Sequence, residues 1–381
     1  MASTITHVPN VTNLRTRLAR AAGEAEKAGA DALLIAPGSD LRYLLGVAGG
    51  SFERLTCLVV PSGSRSPLLV VPKLEAPGYQ SVPVGELGVE LATWEDGQDP
   101  FALAAGAAGA AGAGRRVAIS DTTPAMHVFG FRDALPGAEQ MLAGPIVREM
   151  RMRKDAAEVD ALREAGAAID RVHARMGEWL RPGRTEAEVG ADIAGAIVAE
   201  GHTLAEFVIV GSGPNGASPH HALSDRVIQR GDLVVVDIGG PMPSGYCSDS
   251  TRTYAIGDPP AEVAEKYTVL EAAQRAAVDA VRPGGTAQDV DVAARSIITE
   301  AGFGERFIHR TGHGIGLDVH EEPYIMTGNE LPLDSGMVFS VEPGIYFAGE
   351  WGARIEDIVV VTESGVEALN RRPRSLTVLD G

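Results

Sequence analysis

Apolar positions along this chain switch between two periods, and each switch marks a change of element. Val11, Leu14, Leu18 and Ala22 recur at helical spacing, which predicts a helix within residues 11–30. Ala32–Ile35 is a short apolar run closed by Pro37-Gly38, a strand signature. Leu55–Val60 and Pro67–Val71 flank Pro61-Ser62-Gly63 and predict a hairpin or two adjacent strands. The Ala/Gly-rich stretch 101–114 predicts a helix with a loose, glycine-bearing end, and Arg116–Ser120 another strand. Helices and strands alternating over residues 1–145 describe an α/β domain of its own.

The pattern breaks at Gly144-Pro145, and the basic run Arg148, Arg151, Arg153 and Lys154 follows. This places a boundary between a domain of residues 1–148 and one of residues 149–381. Asp155 then caps a long helix with Val159, Leu162, Ile169, Val172, Met176 and Leu180 along one side. Thr185 and Glu188 form a capping box that opens the next helix. From about residue 204 strands and turns dominate, with helices again over 261–281 and 287–301. Two helix pairs around a central sheet read as α+β.

The two pairs belong to a weak internal duplication. Arg181-Pro-Gly-Arg-Thr185 opens one segment and Arg282-Pro-Gly-Gly-Thr286 another. Each leads into a helix ending at Glu200-Gly201 or Glu300-Ala-Gly302. Further on, Gly231-Asp-Leu-Val-Val-Val-Asp237 parallels Gly336-Met-Val-Phe-Ser-Val-Glu342, and Asp249 parallels Glu356. The interval between partners grows slowly, as diverged copies with small insertions require. Each copy would bring two acids to a pseudo-two-fold centre. An isolated Arg-Pro-Gly-x-Thr, by contrast, is a common turn between helices.

Composition narrows the class. The chain has 381 residues, is 45% hydrophobic and carries a net charge of −18, so it can bury a sizeable core. The acidity argues against nucleic-acid partners and against adhesion to anionic membranes. Cys57 and Cys247 form no metal or redox motif and suit a reducing compartment. Met1–Asn10 lacks the basic start and apolar core of a signal peptide, and no apolar run reaches membrane-spanning length. The expectation is a soluble cytoplasmic protein.

The chemistry concentrates in four acids and a histidine: Asp237, Asp249, His313, Glu342 and Glu356. Apolar runs carry three of the acids toward a core, where carboxylates must be paired, protonated or bound to metal. Singly, each has a bland reading as a turn cap or a surface partner, as for Glu356 with Arg354. Alternation along one continuous strand would put Arg354 and Glu356 on the same face. As a set, four carboxylates balance two divalent cations, and oxygen and imidazole donors suit Mn, Fe, Co or Zn. That points to a two-metal hydrolase. His309, His313 and His320 cluster tightly, but Gly312, Gly314 and Gly316 argue against a helical zinc pair. Gly211-Ser-Gly-Pro-Asn-Gly216 matches a dinucleotide fingerprint, yet Pro214 and Pro219 deny it the helix it needs.

In combination these motifs resemble the creatinase, aminopeptidase P, prolidase and methionine aminopeptidase family, the M24 metallopeptidases, and most of all its proline-specific members. The resemblance covers about residues 150–370, and Ser39–Gly46 is similar to the family's N-terminal domain. It implies a "pita-bread" catalytic domain with a pseudo-two-fold sheet, preceded by a smaller α/β domain. It implies that Asp237, Asp249, His313, Glu342 and Glu356 ligate two divalent ions, manganese first among Co, Fe and Zn. It implies His220, His320 and Glu342 as catalytic groups, with His309 and Arg354 binding substrate. The expected activity is hydrolysis of the Xaa-Pro bond in dipeptides or at peptide N-termini, in a homodimer. The alternatives are an inactive binding protein of the same fold, a metal-free amidinohydrolase like creatinase, and a methionine aminopeptidase. The Asp237–Asp249 loop is one residue longer than in many relatives.

Overall fold

The computed structural model describes residues 10–50 and 53–380. The N-terminal segment read above for a leader therefore lies outside the described residues except for Asn10. Contacts divide the chain into two compact units, Met1–Arg151 and Met152–Gly381.

Unit 1 has strands β1 (Ala32–Ile35), β2 (Cys57–Pro61), β3 (Leu68–Pro72), β4 (Glu90–Trp94), β5 (Arg116–Ile119) and β6 (Glu139–Leu142). They form one sheet in the order β4-β3-β2-β1-β5-β6. The predicted hairpin is β2–β3, antiparallel as expected. Helices α1 (Val11–Lys27), α2 (Ser39–Leu45), α3 (Val84–Leu87), α4 (Pro100–Ala108), α5 (Ala125–Ala134) and α6 (Gly144–Arg151) complete the unit. In α1 the buried stripe runs through Leu14, Leu18, Ala21 and Ala25, with Ala22 only half-buried. The Ala/Gly-rich helix starts with an Asp99 cap and ends at Gly109, whose φ of 59° satisfies a left-handed terminus. Gly144-Pro145 does not break the chain as expected. It opens α6, because proline is tolerated in a first helical turn.

Unit 2 holds helices α7 (Ala156–His173), α8 (Glu186–Ala199), α9 (Ala261–Ala280) and α10 (Ala287–Glu300). Capping boxes start α7 (Asp155/Glu158), α8 (Thr185/Glu188) and α10 (Thr286/Asp289). The predicted stripe outlasts α7. The helix stops at His173, and Met176 and Leu180 lie beyond it, buried in the same apolar cluster as Ile169 and Val172. One sheet contains β7 (Phe207–Ser212), β8 (Leu233–Pro241) and β9 (Cys247–Ile256). Another contains β10 (Gly312–Gly314), β11 (Glu321–Ile325) and β12 (Val338–Val341). A two-stranded ribbon joins β13 (Gly344–Phe347) to β14 (Trp351–Arg354). Strand β15 (Asp357–Val361) pairs with β12 and with β16 (Val366–Ala368), and β17 (Thr377–Leu379) pairs with β9.

The duplication is visible in the backbone. Gly183 N–H donates to Ile228 O and Gly284 N–H to Leu333 O, each at 2.9 Å. Thr185 bridges to Val227 and Thr286 to Pro332. The ladder β7–β8–β9 thus has its counterpart in β10–β12–β15. The helix pairs cover one side of each ladder, which leaves the other side free to carry polar groups. One expectation fails: Arg354 and Glu356 do not share a continuous strand. The chain leaves β14 after Arg354, and Glu356 N–H turns to Thr251 O at 3.1 Å before β15 begins.

Candidate metal centre

Strand periodicity delivers the acids. In β8, Val234, Val236 and Ile238 enter the apolar cluster that also takes Ile169, Val172 and Ile193 from α7 and α8. Asp237 must then point to the opposite face. Its rung partner is Thr251, and Asp249 stands across from Gly239, so both carboxylates lie on one face of the hairpin. In the second half Phe339 and Val341 pack with α9 and α10, and Ser340 and Glu342 take the other face. His313 occupies the middle of β10. A Cβ on Gly312 would lie 1.8 Å from Ser340 O, and one on Gly314 2.1 Å from Glu322 O. Only glycines let the neighbouring backbones close around this imidazole.

All nine residues singled out from the sequence line one cavity of about 920 Å³: His220, Asp237, Asp249, His309, His313, His320, Glu342, Arg354 and Glu356. His313 Nε2 stands 3.2 Å from Glu342 Oε1 and 3.6 Å from Asp249 Oδ2. Ligand atoms of Asp249, His313 and Glu356 all fall within 4.8 Å of one another. His313 Nδ1 is 3.1 Å from Gly314 O. That contact suits Nδ1–H and leaves the Nε2 lone pair facing the acids. The bland reading of Arg354 and Glu356 as a surface pair does not apply, since both are buried. Arg354 is buried and its Nη2 donates to Asp237 Oδ2 at 2.6 Å. Its Nη1 donates to Tyr346 Oη at 2.8 Å, and Nη2 also reaches Pro219 O at 3.3 Å.

The electrostatics demand a cation. Four buried or half-buried carboxylates share the cavity with the buried Arg354 and the less buried Arg310. Burial, then repulsion from Glu356, Asp237 and Glu342, pushes Asp249 well above the usual carboxylate range. Burial, with Glu342 and Asp237, does the same to Glu356. Asp237 Oδ1 and Glu356 Oε1 are buried with no hydrogen-bond partner, a costly state that a metal ion relieves. Burial lowers His313 and His320 to about 4 and lowers His309 as well. Neutral imidazole is the form that ligates and exchanges protons.

Several supporting groups escaped the sequence reading. Thr251 Oγ1 donates to Glu356 Oε2 at 2.8 Å, and Ser340 Oγ donates to Glu342 Oε1 at 3.0 Å. A signal existed: each hydroxyl lies two residues from an acid of its own strand segment, Asp249 or Glu342, and so on the same face. Tyr346 is buried with its Oη 2.9 Å from His309 Nε2, and it gave no such signal.

A buried acid–histidine cluster at the centre of a duplicated α+β unit supports a metal-dependent active site. The chain belongs to metallopeptidase family M24, whose model matches residues 160–363, and residues 17–153 match the Creatinase/Prolidase N-terminal domain. It is a metallo-exopeptidase with the pita-bread fold expected above. It is 56% identical over 363 residues to the probable dipeptidase PepE of Mycobacterium tuberculosis, covering 95% of this chain and 96% of that one. The crystal structure of dipeptidase PepE from Mycobacterium ulcerans superposes with a TM-score of 0.94 at 57% identity, over 98% of this chain and 100% of that one. An Xaa-Pro dipeptidase of Lactobacillus delbrueckii subsp. lactis is 44% identical over 235 residues, 61% of this chain and 64% of the relative.

Proposed function

We propose that this protein hydrolyses the bond between a first residue and a following proline, with dipeptides as its preferred substrates. The observation that carries the reading is the cluster of four carboxylates and a neutral imidazole on one cavity wall, with Arg354 as their nearest fixed counter-charge. Asp237, Asp249, His313, Glu342 and Glu356 would hold two divalent ions, manganese before Co, Fe or Zn. When bound, the ions supply an activated water and stabilise negative charge on the substrate carbonyl.

The protein's own groups complete the reaction. Glu342, fixed by Ser340, takes a proton from the water and passes it toward the leaving proline nitrogen. His220, exposed to the cavity, donates to the carbonyl oxygen as charge develops there. His320, lowered to about 4 by burial and by His313, is neutral at physiological pH and can assist the proton transfer. Tyr346 links His309 to Arg354. It thereby holds the substrate-facing imidazole and the guanidinium that steadies Asp237 in one network. Proline lacks an amide N–H, so a site that does not grip that hydrogen can accept it.

Support for the dipeptide preference comes from the names of the relatives. The experiment compares turnover of Gly-Pro, Gly-Pro-Ala and Met-Ala-Ser after loading with Mn²⁺ and after chelation. Fast, chelator-sensitive cleavage of Gly-Pro is expected. Equal rates on Met-Ala-Ser, or undiminished activity in chelator, would overturn the reading.

We further propose, from the family resemblance and the net charge of −18, a cytoplasmic homodimer that binds neither nucleic acid nor membrane. Among the described residues no helix is long and apolar enough to cross a membrane. Sedimentation velocity tests the dimer.

A further inference from the structure

Glu186, at the first position of α8, is completely buried. Burial opposes its charge, but hydrogen bonds from Ser212, Ser224 and His221 outweigh that and keep it ionised. Oε1 accepts from Ser212 N–H at 2.7 Å and from Ser212 Oγ at 2.6 Å. Oε2 accepts from Ser224 Oγ at 2.5 Å and stands 2.8 Å from His221 Nε2. Asn215 Nδ2 reaches both oxygens at 3.1 Å. Every donor belongs to the segment 212–224, which leaves β7, crosses the cavity wall and carries His220.

The neighbours of His220 are therefore held on both sides. Pro219 O accepts from Arg354, and His221 is held by Glu186. His220 itself is exposed to the cavity. The adjacent histidines have opposite tasks: one anchors the loop and the other faces substrate.

The second half uses the same device with a different residue. Asp291 on α10 is buried and accepts two bonds from Arg295 at 2.9 Å each. It also accepts from Thr311 Oγ1 at 2.7 Å and Thr327 Oγ1 at 2.6 Å. Arg295 passes the restraint on to Phe307 O and His309 O at 3.1 and 2.8 Å. In each half, one buried carboxylate on the second helix anchors the loop that presents a cavity-facing histidine.

We propose that Glu186 is a positioning residue that acts on catalysis through His220. This rests on the role given to His220 above. A group misplaced by about 1 Å can lose about 100-fold in rate, so the effect should appear in kcat and spare the metal.

The test is a double-mutant cycle on the manganese-loaded enzyme with Gly-Pro. Glu186→Gln keeps the shape but replaces an acceptor with a donor facing Ser212 N–H. It should lower kcat about tenfold or more at nearly constant KM and metal content. His220→Ala should lower kcat further, and the Glu186→Gln/His220→Ala double variant should be no slower than His220→Ala. Because Glu186→Gln could fail to fold, His221→Ala, which cuts one tie from a less buried position, is run through the same cycle with the same expectation. Independent losses that multiply with His220→Ala, or wild-type kcat in both loop variants, would overturn the positioning role and leave the function intact. Wild-type kcat in His220→Ala would overturn the assignment of His220 and this inference with it.

Discussion

At the residue scale, the site is a problem of uncompensated charge. Replacing a ligand should remove metal and rate together: Asp249→Asn or His313→Ala is expected to show both losses, measured by metal analysis and Gly-Pro turnover. Either variant keeping both would contradict the ligand assignment. A second prediction concerns His173, which is buried between Tyr254 Oη and Ser250 O. Burial, aided by Arg252, lowers it to about 3, whereas the unfolded chain takes up that proton near pH ~6.5. The unfolded state therefore binds more protons between those values. The stability that neutral His173 contributes is whole above pH ~6.5 and is lost progressively as the pH falls toward 3. Urea unfolding across that window should give a shallower decline for His173→Gln. Three of the acids were legible because each ends or interrupts an apolar run, and Asp249 because it parallels Glu356 in the duplication. The identity of their partners was not: Arg354 serves Asp237, far away in sequence, and nothing local announces it.

At the element scale, caps and glycines define what the ladders can carry. Thr286 caps α10 reciprocally with Asp289, so Thr286→Ala should cost about 1 kcal/mol in chemical unfolding. Gly314→Ala would press a Cβ against Glu322 O, and fixed backbone cannot yield as a side chain can. Without touching a ligand, it is expected to weaken metal affinity on the order of tenfold or more, measured by competition with a chromophoric chelator. Helices were readable wherever a capping box met an apolar stripe, as at Asp155, Thr185 and Thr286. The stripe overran α7 because periodic burial continues through a 3₁₀ turn when the same cluster receives the side chains. The break between Arg354 and Glu356 was invisible for a similar reason. Apolar residues on both sides look alike whether they pair with β13 or with β12.

At the scale of the whole molecule, metal binding and folding should be linked. Ions that bind the folded cluster and not the unfolded chain stabilise by about 2.7 kcal/mol at 100 times Kd. Chelation should therefore lower the thermal midpoint by several degrees, and calorimetry with graded Mn²⁺ should restore it. An unchanged midpoint would deny the cluster its ion. From the sequence alone came an α/β domain, a duplicated α+β catalytic domain and five residues fit for metal, because hydrophobic period, turn chemistry and repeated motifs are local quantities. Tertiary structure alone decided that Asp237 meets Arg354 and that His221, beside the cavity-facing His220, anchors its loop. It also decided that Glu186, one more acid on a helix by sequence, is wholly buried. Those are long-range matters of which face of an element is covered and which backbone donors remain to be satisfied, and only the packed chain determines them.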